Sequence, residues 1–212
     1  MYTDVYQCIP MFELFLLFER NGMIRRLDEY VFRRVCEYQR DWKKAGFEVV
    51  PVSVNLSKNT LFRPRIVEHY MEIMKSYGVE PNEIQLEVTE TLVASGNNMP
   101  ALLNAFREKG IKILMDDFGT GYTALSVLNK QCFDTIKIDK SLIDGINDEY
   151  GAQLIESVIQ MNQKLGYYVT AEGVEEEYQF DFLKENHCND IQGYFFAKPE
   201  PADVFQTRLL SA

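Results

Sequence analysis

Acidic and amide side chains recur at the ends of the valine- and isoleucine-rich runs of this sequence. Asn55 closes the run Val49 to Asn55, and Glu87 lies in Ile84 to Thr89. Asp116 and Asp117 follow Ile111 to Met115, Asp139 follows Thr135 to Ile138, and Glu172 follows Tyr167 to Ala171. Gln192 lies in the last run, Ile191 to Phe195. Converging carboxylates repel one another or take up protons unless cations stand between them. Oxygen donors of this hardness suit Mg2+ or Mn2+ rather than zinc. Two such ions roughly 3.5–4 Å apart form a clamp used in phosphodiester hydrolysis. Lys137 is the one cation of the series, suited to hydrogen-bond a water or a phosphate oxygen. A single strand-end carboxylate usually caps a helix or forms an ion pair. A polar group at the end of every run is harder to explain by caps.

The elements that must position these residues alternate in type. Leu27 to Lys44 has helical spacing of Leu27, Val31, Val35 and Trp42, and the strand-like run to Asn55 follows. Helices are expected near Ile66 to Tyr77, Met99 to Lys109, Ala124 to Lys130, Ala152 to Leu165 and Glu176 to Glu185, with a closing helix over Pro201 to Leu210. Repeated strand–helix units mean a parallel α/β sheet, either a barrel or a doubly wound sheet. Period-two alternation puts Ser53 with Asn55, Gln85 with Glu87, Lys137 with Asp139 and Thr170 with Glu172 on shared faces. A ring of polar groups at the C-terminal mouth favours a TIM-like (β/α) barrel, because a doubly wound sheet gathers such groups at one switch point.

Several motifs follow one another in order: Val54-Asn55-Leu56-Ser57, Glu87-Val88-Thr89-Glu90, Asp116-Asp117-Phe118-Gly119-Thr120-Gly121-Tyr122, Lys137-Ile138-Asp139, Ala171-Glu172-Gly173-Val174-Glu175 and Gln192-Gly193-Tyr194. The series resembles the signature of the EAL-domain family, over one domain (1–212) matched from about Leu17 onward, with residues 1–16 divergent. The resemblance implies a metal-dependent phosphodiesterase that hydrolyses cyclic di-GMP to pGpG on a TIM-like barrel, with Mg2+ or Mn2+ as cofactor. It implies metal ligands Asn55, Glu87, Asp116 and Glu172, with Asp117 on a second metal and Asp139 nearby. Lys137 would orient or deprotonate the attacking water, with Gln192 holding that network beside Glu172. Glu90 would anchor the loop Phe118 to Thr123, which leads to a dimer surface.

The sequence departs from that family at one point. It contains no Glu-Ala-Leu or Glu-Val-Leu triplet, the source of a further metal ligand, and it lacks the substrate-binding arginine that follows the triplet. Three readings are open: a fragment, a degenerate member, or a relic strand at Tyr6 to Ile9 with Glu13 standing in. About six of eight barrel strands are expected. Open edges favour a homodimer, either through exchange of Ile9 to Phe18 or through the loop after Asp117. The alternative to an impaired enzyme is a silent cyclic di-GMP-binding or dimerisation module.

Composition limits the other classes. Net charge is −10, which argues against duplex nucleic acid as a partner. Hydrophobic residues are 46% and charged residues 25%, enough for a core without disulfides. Cys8, Cys36, Cys132 and Cys188 form no Cys-x-x-Cys pair, and His69 and His187 have no zinc spacing. Ile9 to Phe18 is too short to span a bilayer and is not built like a signal peptide. The chain is expected to be cytoplasmic.

Overall fold

The computed structural model describes residues 17–94, 98–121 and 124–209. Six strands form one sheet: β1 (Val52–Asn55), β2 (Ile84–Thr89), β3 (Lys112–Phe118), β4 (Thr135–Ile138), β5 (Tyr168–Ala171) and β6 (Asp190–Ile191). Every neighbouring pair is parallel, and the spatial order is the sequence order. With no reversal there is no switch point, which excludes the doubly wound alternative. The sheet is the curled, incomplete barrel of the TIM-like class. β1 and β6 are its edges, with no partner beyond them among the described residues.

The main helices are α1 (Ile24–Lys44), α3 (Ile66–Tyr77), α5 (Met99–Glu108), α8 (Glu149–Lys164) and α9 (Glu177–Glu185), with α10 (Ala202–Leu209) last. Short helices α2 (Lys58–Leu61), α4 (Glu90–Ala94), α6 (Ala124–Leu128) and α7 (Lys140–Ile143) follow strand ends. Sequence periodicity finds the long helices but not α2, α4 or α7, since a single turn has no period to show. The final strand also differs from expectation. It is only Asp190–Ile191, and residues 194–196 form a turn. There Phe195 stacks on Phe180 (5.2 Å between centroids) and Phe196 meets the same ring edge-on. Aromatic packing onto α9, not sheet pairing, uses those side chains.

The face that α1 buries is also displaced from the expected stripe. Ile24, Asp28, Phe32, Cys36, Gln39 and Trp42 are buried, while Val31 is 39% exposed. Two polar residues interrupt the true core stripe, so a count of apolar positions settles one residue away. Both are satisfied. Gln39 donates to the carbonyls of Val50 (2.7 Å) and Glu83 (3.0 Å). Asp28 accepts from Ser57 N–H (3.0 Å) and from the Thr60 hydroxyl (2.5 Å). Phe32 packs against Tyr70 of α3 at 4.2 Å, and Tyr70 in turn meets Phe106 of α5 edge-on. The core continues through the helix-facing residues Leu86, Val88, Ile113, Met115 and Ile136. A second cluster around Ile138, Val169 and Ala171 is covered by Ile155 and Ile159 of α8 and Leu183 of α9.

An ionic clasp joins α1 to α3. Glu29 accepts from Arg33 (2.8 Å) and Arg63 (2.9 Å), and His69 Nε2 lies 3.0 Å away. Partial burial pushes the Glu29 carboxyl up, but the Arg33, His69 and Arg63 donors outweigh it and hold it at about 2. A depressed carboxyl stabilises the fold above its ordinary value of 4.5 and loses that contribution as pH falls toward about 2. Thermal melts of wild type and Glu29→Gln should therefore differ most near neutrality and converge between pH 4.5 and 2. An unchanged gap across that window would show that the clasp is energetically idle.

Candidate metal centre at the strand mouth

The register of the sheet decides which strand-end residues meet. Asn55 lies opposite Glu87, Glu87 opposite Leu114, and Leu114 opposite Thr135. Two residues further along those strands, Asp116 and Lys137 share that face, since Cβ directions repeat every second residue. Lys137 lies opposite Thr170, and two residues beyond Thr170 is Glu172. One face of the sheet thus carries Asn55, Glu87, Asp116, Lys137 and Glu172 toward the C-terminal mouth in successive rows.

Lys137 gathers three of these groups. Its Nζ is 2.9 Å from Glu87 Oε1, 3.0 Å from Asp116 Oδ1 and 2.7 Å from Glu172 Oε1, and its side chain is 5% exposed. Burial alone would push the lysine pKa down. The charges of Glu87 and Asp116 and the hydrogen bond to Glu172 reverse this and push it well above its ordinary value, so the ammonium is held charged. One ammonium does not neutralise three carboxylates. Burial pushes the Glu172 carboxyl up to about 7 despite its bond to Lys137, with Asp116 adding repulsion.

Asp117 reaches the mouth by a backbone irregularity. Met115 pairs with Ile136, but the next pair is Phe118 with Ile138, so β3 carries one extra residue there. Phe118 takes the buried, helix-facing place that Asp117 would hold in a regular strand. Asp117 itself has φ 59, a left-handed conformation that aspartate tolerates better than most residues. Its carboxyl is pushed up by burial and by the neighbouring charges of Asp116 and Asp139. Bulges of this kind re-aim side chains next to functional sites.

The other expected residues stand at the rim. Asn55 is exposed at the end of β1, beside Glu87 by register. Glu90 is 1% exposed and lies against the loop after β3, 3.4 Å from Gly119 N–H. Asp139 behaves as a helix cap: its side chain accepts from Ser141 N–H (2.9 Å) and Ser141 Oγ (2.5 Å) at the start of α7. It therefore does not share the inward contacts of Lys137, although its charge is felt at Asp117. The Gln192 side chain is exposed, but its backbone is fixed. Its N–H donates to Ala171 O (2.8 Å) and its carbonyl accepts from Val174 N–H (3.1 Å). A Cβ at Gly193 would collide with the Val174 backbone, so only glycine lets this turn lie so close to the Glu172 loop. The motif spacing contains no sign of Asp28, which holds the turn after Asn55 from α1. A polar residue on the core face of a helix was the available signal.

The donor chemistry fits a hard divalent cation. Three carboxylates converge on one point, with Asp117 beside them, and one lysine leaves them short of positive charge. Among the described residues, no three acidic, histidine or cysteine side chains are already spaced as a metal cage. An open cavity of about 420 Å³ lies elsewhere, between α1, β1 and α10, lined by Trp42, Val52 and Phe205. It lacks converging charges and is not the site.

The sequence matches the family model described as EAL domain over residues 4–199. It is 39% identical over 187 residues to the cyclic di-GMP phosphodiesterase NbdA of Pseudomonas aeruginosa, covering 87% of this chain and 24% of that protein. The chain spans about a quarter of the length of the curated relatives it matches. Among solved structures, the phosphodiesterase PaMucR in its c-di-GMP complex superposes with a TM-score of 0.84 at 29% identity, covering 91% of this chain and 79% of that one. BlrP1 of Klebsiella pneumoniae, solved with manganese and cy-diGMP, gives 0.72 at 30% identity, covering 82% and 45%.

Removing the central ammonium tests the arrangement. Lys137→Met leaves one buried and two half-buried carboxylates without their cation, and breaking a buried ion pair typically costs about 3–5 kcal/mol. In EDTA the variant should melt well below wild type. Mn2+ should raise its melting temperature more than that of wild type, by binding the folded state. Equal Mn2+ responses in the two proteins would show that the carboxylates do not take a divalent cation.

Proposed function

Because the chain belongs to the EAL-domain family, we propose that its strand mouth is a site for metal-dependent hydrolysis of cyclic di-GMP to pGpG. The observation that carries this reading is the under-neutralised ring of Glu87, Asp116 and Glu172 around Lys137. Glu87, Asp116, Glu172 and Asn55 would hold Mg2+ or Mn2+, with Asp117 toward a second ion. When bound, the metal supplies Lewis-acid polarisation of the phosphodiester and offsets its charge. Lys137, held protonated by its three partners, donates hydrogen bonds. It orients the attacking water or a phosphate oxygen rather than removing a proton. Gln192, fixed through its backbone on Ala171 and Val174, would help hold that network. Glu90 steadies the loop after Asp117 through Gly119, and this loop is the surface we assign to a homodimer.

The absent Glu-Ala-Leu triplet favours a second reading for this 212-residue chain, in which nucleotide binding outlives turnover. A missing direct ligand should cost more than the roughly 10–100-fold of an outer-shell loss. The assigned location is cytoplasmic, where a nucleotide second messenger and the free thiols of Cys36 and Cys132 coexist. Among the described residues no helix is long and apolar enough to cross a membrane.

Chromatography of pGpG formed by the purified chain with Mn2+, alongside equilibrium dialysis of cyclic di-GMP, separates these readings. Saturable binding with turnover more than about 100-fold below that of an intact family enzyme is expected, and Asp116→Asn should weaken the binding. Turnover at an intact enzyme's rate would overturn the impairment. Absence of any cyclic di-GMP binding would overturn the assignment itself.

A further inference from the structure

Each ligand-bearing strand inside the sheet is held from both sides. β2 pairs with β1 and β3, β3 with β2 and β4, and β5 with β4 and β6. β1 is different. It is four residues long and carries Asn55 at its last position, with a partner only on the β2 side among the described residues. A short edge strand held on one side frays most easily at its end, which is where Asn55 sits.

A second restraint comes from α1. Asp28 is 8% exposed, and no ion pair to a cation is formed at its carboxylate among the described residues. It accepts from Ser57 N–H at 3.0 Å and from Thr60 Oγ1 at 2.5 Å. Ser57 is two residues beyond Asn55 and is the N-cap of α2, accepting from Thr60 N–H at 3.3 Å. Between them, Leu56 N–H donates to Glu87 O at 3.0 Å. The chain leaving Asn55 is thus tied to β2 by one residue and to α1 by the next. A buried carboxylate without a cation is costly unless its hydrogen bonds are made, so these contacts are tightly determined.

We propose that Asp28 is a positioning residue for Asn55: it fixes the end of β1 by pinning the Ser57–Thr60 turn to α1. This rests on the metal-site reading given above. Asp28 itself touches neither metal nor substrate.

The test compares the full chain carrying Asp28→Asn with a Thr60→Val variant and with Ile159→Val. Ile159 is fully buried on α8, away from the turn, and serves as a control for stability loss alone. Mn2+ titration followed by thermal shift, and amide hydrogen exchange at Leu56 and Ser57, are the readouts. Asp28→Asn should lower Mn2+ affinity by about 10-fold or more, within the range of outer-shell losses, and Thr60→Val should do so to a smaller extent. Exchange at Leu56 and Ser57 should quicken in both, while Ile159→Val changes neither beyond its general destabilisation. Mn2+ affinity and local exchange in Asp28→Asn that match Ile159→Val would overturn the proposal. A wild type with no saturable Mn2+ response, identical to Asp116→Asn, would sink the metal reading instead. Exchange at Leu56 and Ser57 would then decide the restraint by Asp28 on its own, unchanged rates overturning it.

Discussion

The mouth of this sheet depends on one buried ammonium. Lys137 rises from β4 and holds carboxylates delivered by β2, β3 and the loop after β5, all within 3.0 Å. Carboxylates gathered on one point repel one another unless a cation stands between them. The strand order makes the gathering possible, because consecutive parallel neighbours present the same face and the same ends to one mouth. The charge deficit that remains is what makes the site suited to divalent cations. A structural ion-pair network would be expected to come out closer to balanced, whereas this one leaves Glu172 pushed up to about 7 by burial.

The backbone departs from regularity where adjacent residues must serve one site. Asp116 and Asp117 are neighbours, and in a flat strand they would point to opposite faces. The extra residue in β3 and the left-handed Asp117 resolve that conflict, while Phe118 restores the buried layer opposite Ile138. Conformations of this kind cost of order 1–3 kcal/mol and persist only where the surroundings hold them in place. Glycines at the neighbouring turns serve the same end. Gly193 lets the Gln192 turn rest directly on the Val174 backbone.

Helix α1 does more than cover the sheet. Its buried stripe carries Asp28 and Gln39 among Ile24, Phe32, Cys36 and Trp42. Each polar member reaches main-chain groups around an edge strand: Gln39 takes the Val50 and Glu83 carbonyls near the start of β1, and Asp28 takes the turn after its end. These are directional contacts that apolar burial cannot replace, and they fix how the helix lies along a strand that has only one sheet neighbour among the described residues.

Much of this was legible in the sequence. Valine- and isoleucine-rich runs alternating with amphipathic segments specify parallel strand–helix units, because burial on both faces demands such runs. Ordered motifs at the run ends identify the family and name Glu87, Asp116, Lys137 and Glu172 as neighbours. Period and composition could not show that Asp139 turns aside to cap α7, that Asp117 sits in a bulge, or that the last strand stops at Ile191 before the Phe195–Phe196 turn. Nor could they place α1's true core face, since Asp28 and Gln39 read as polar interruptions until their partners on distant segments are in place. Hydrophobic pattern is a local property, and one chain can carry it. Hydrogen-bond satisfaction, charge balance and strand register are properties of pairs far apart in sequence, and only the tertiary structure decides them.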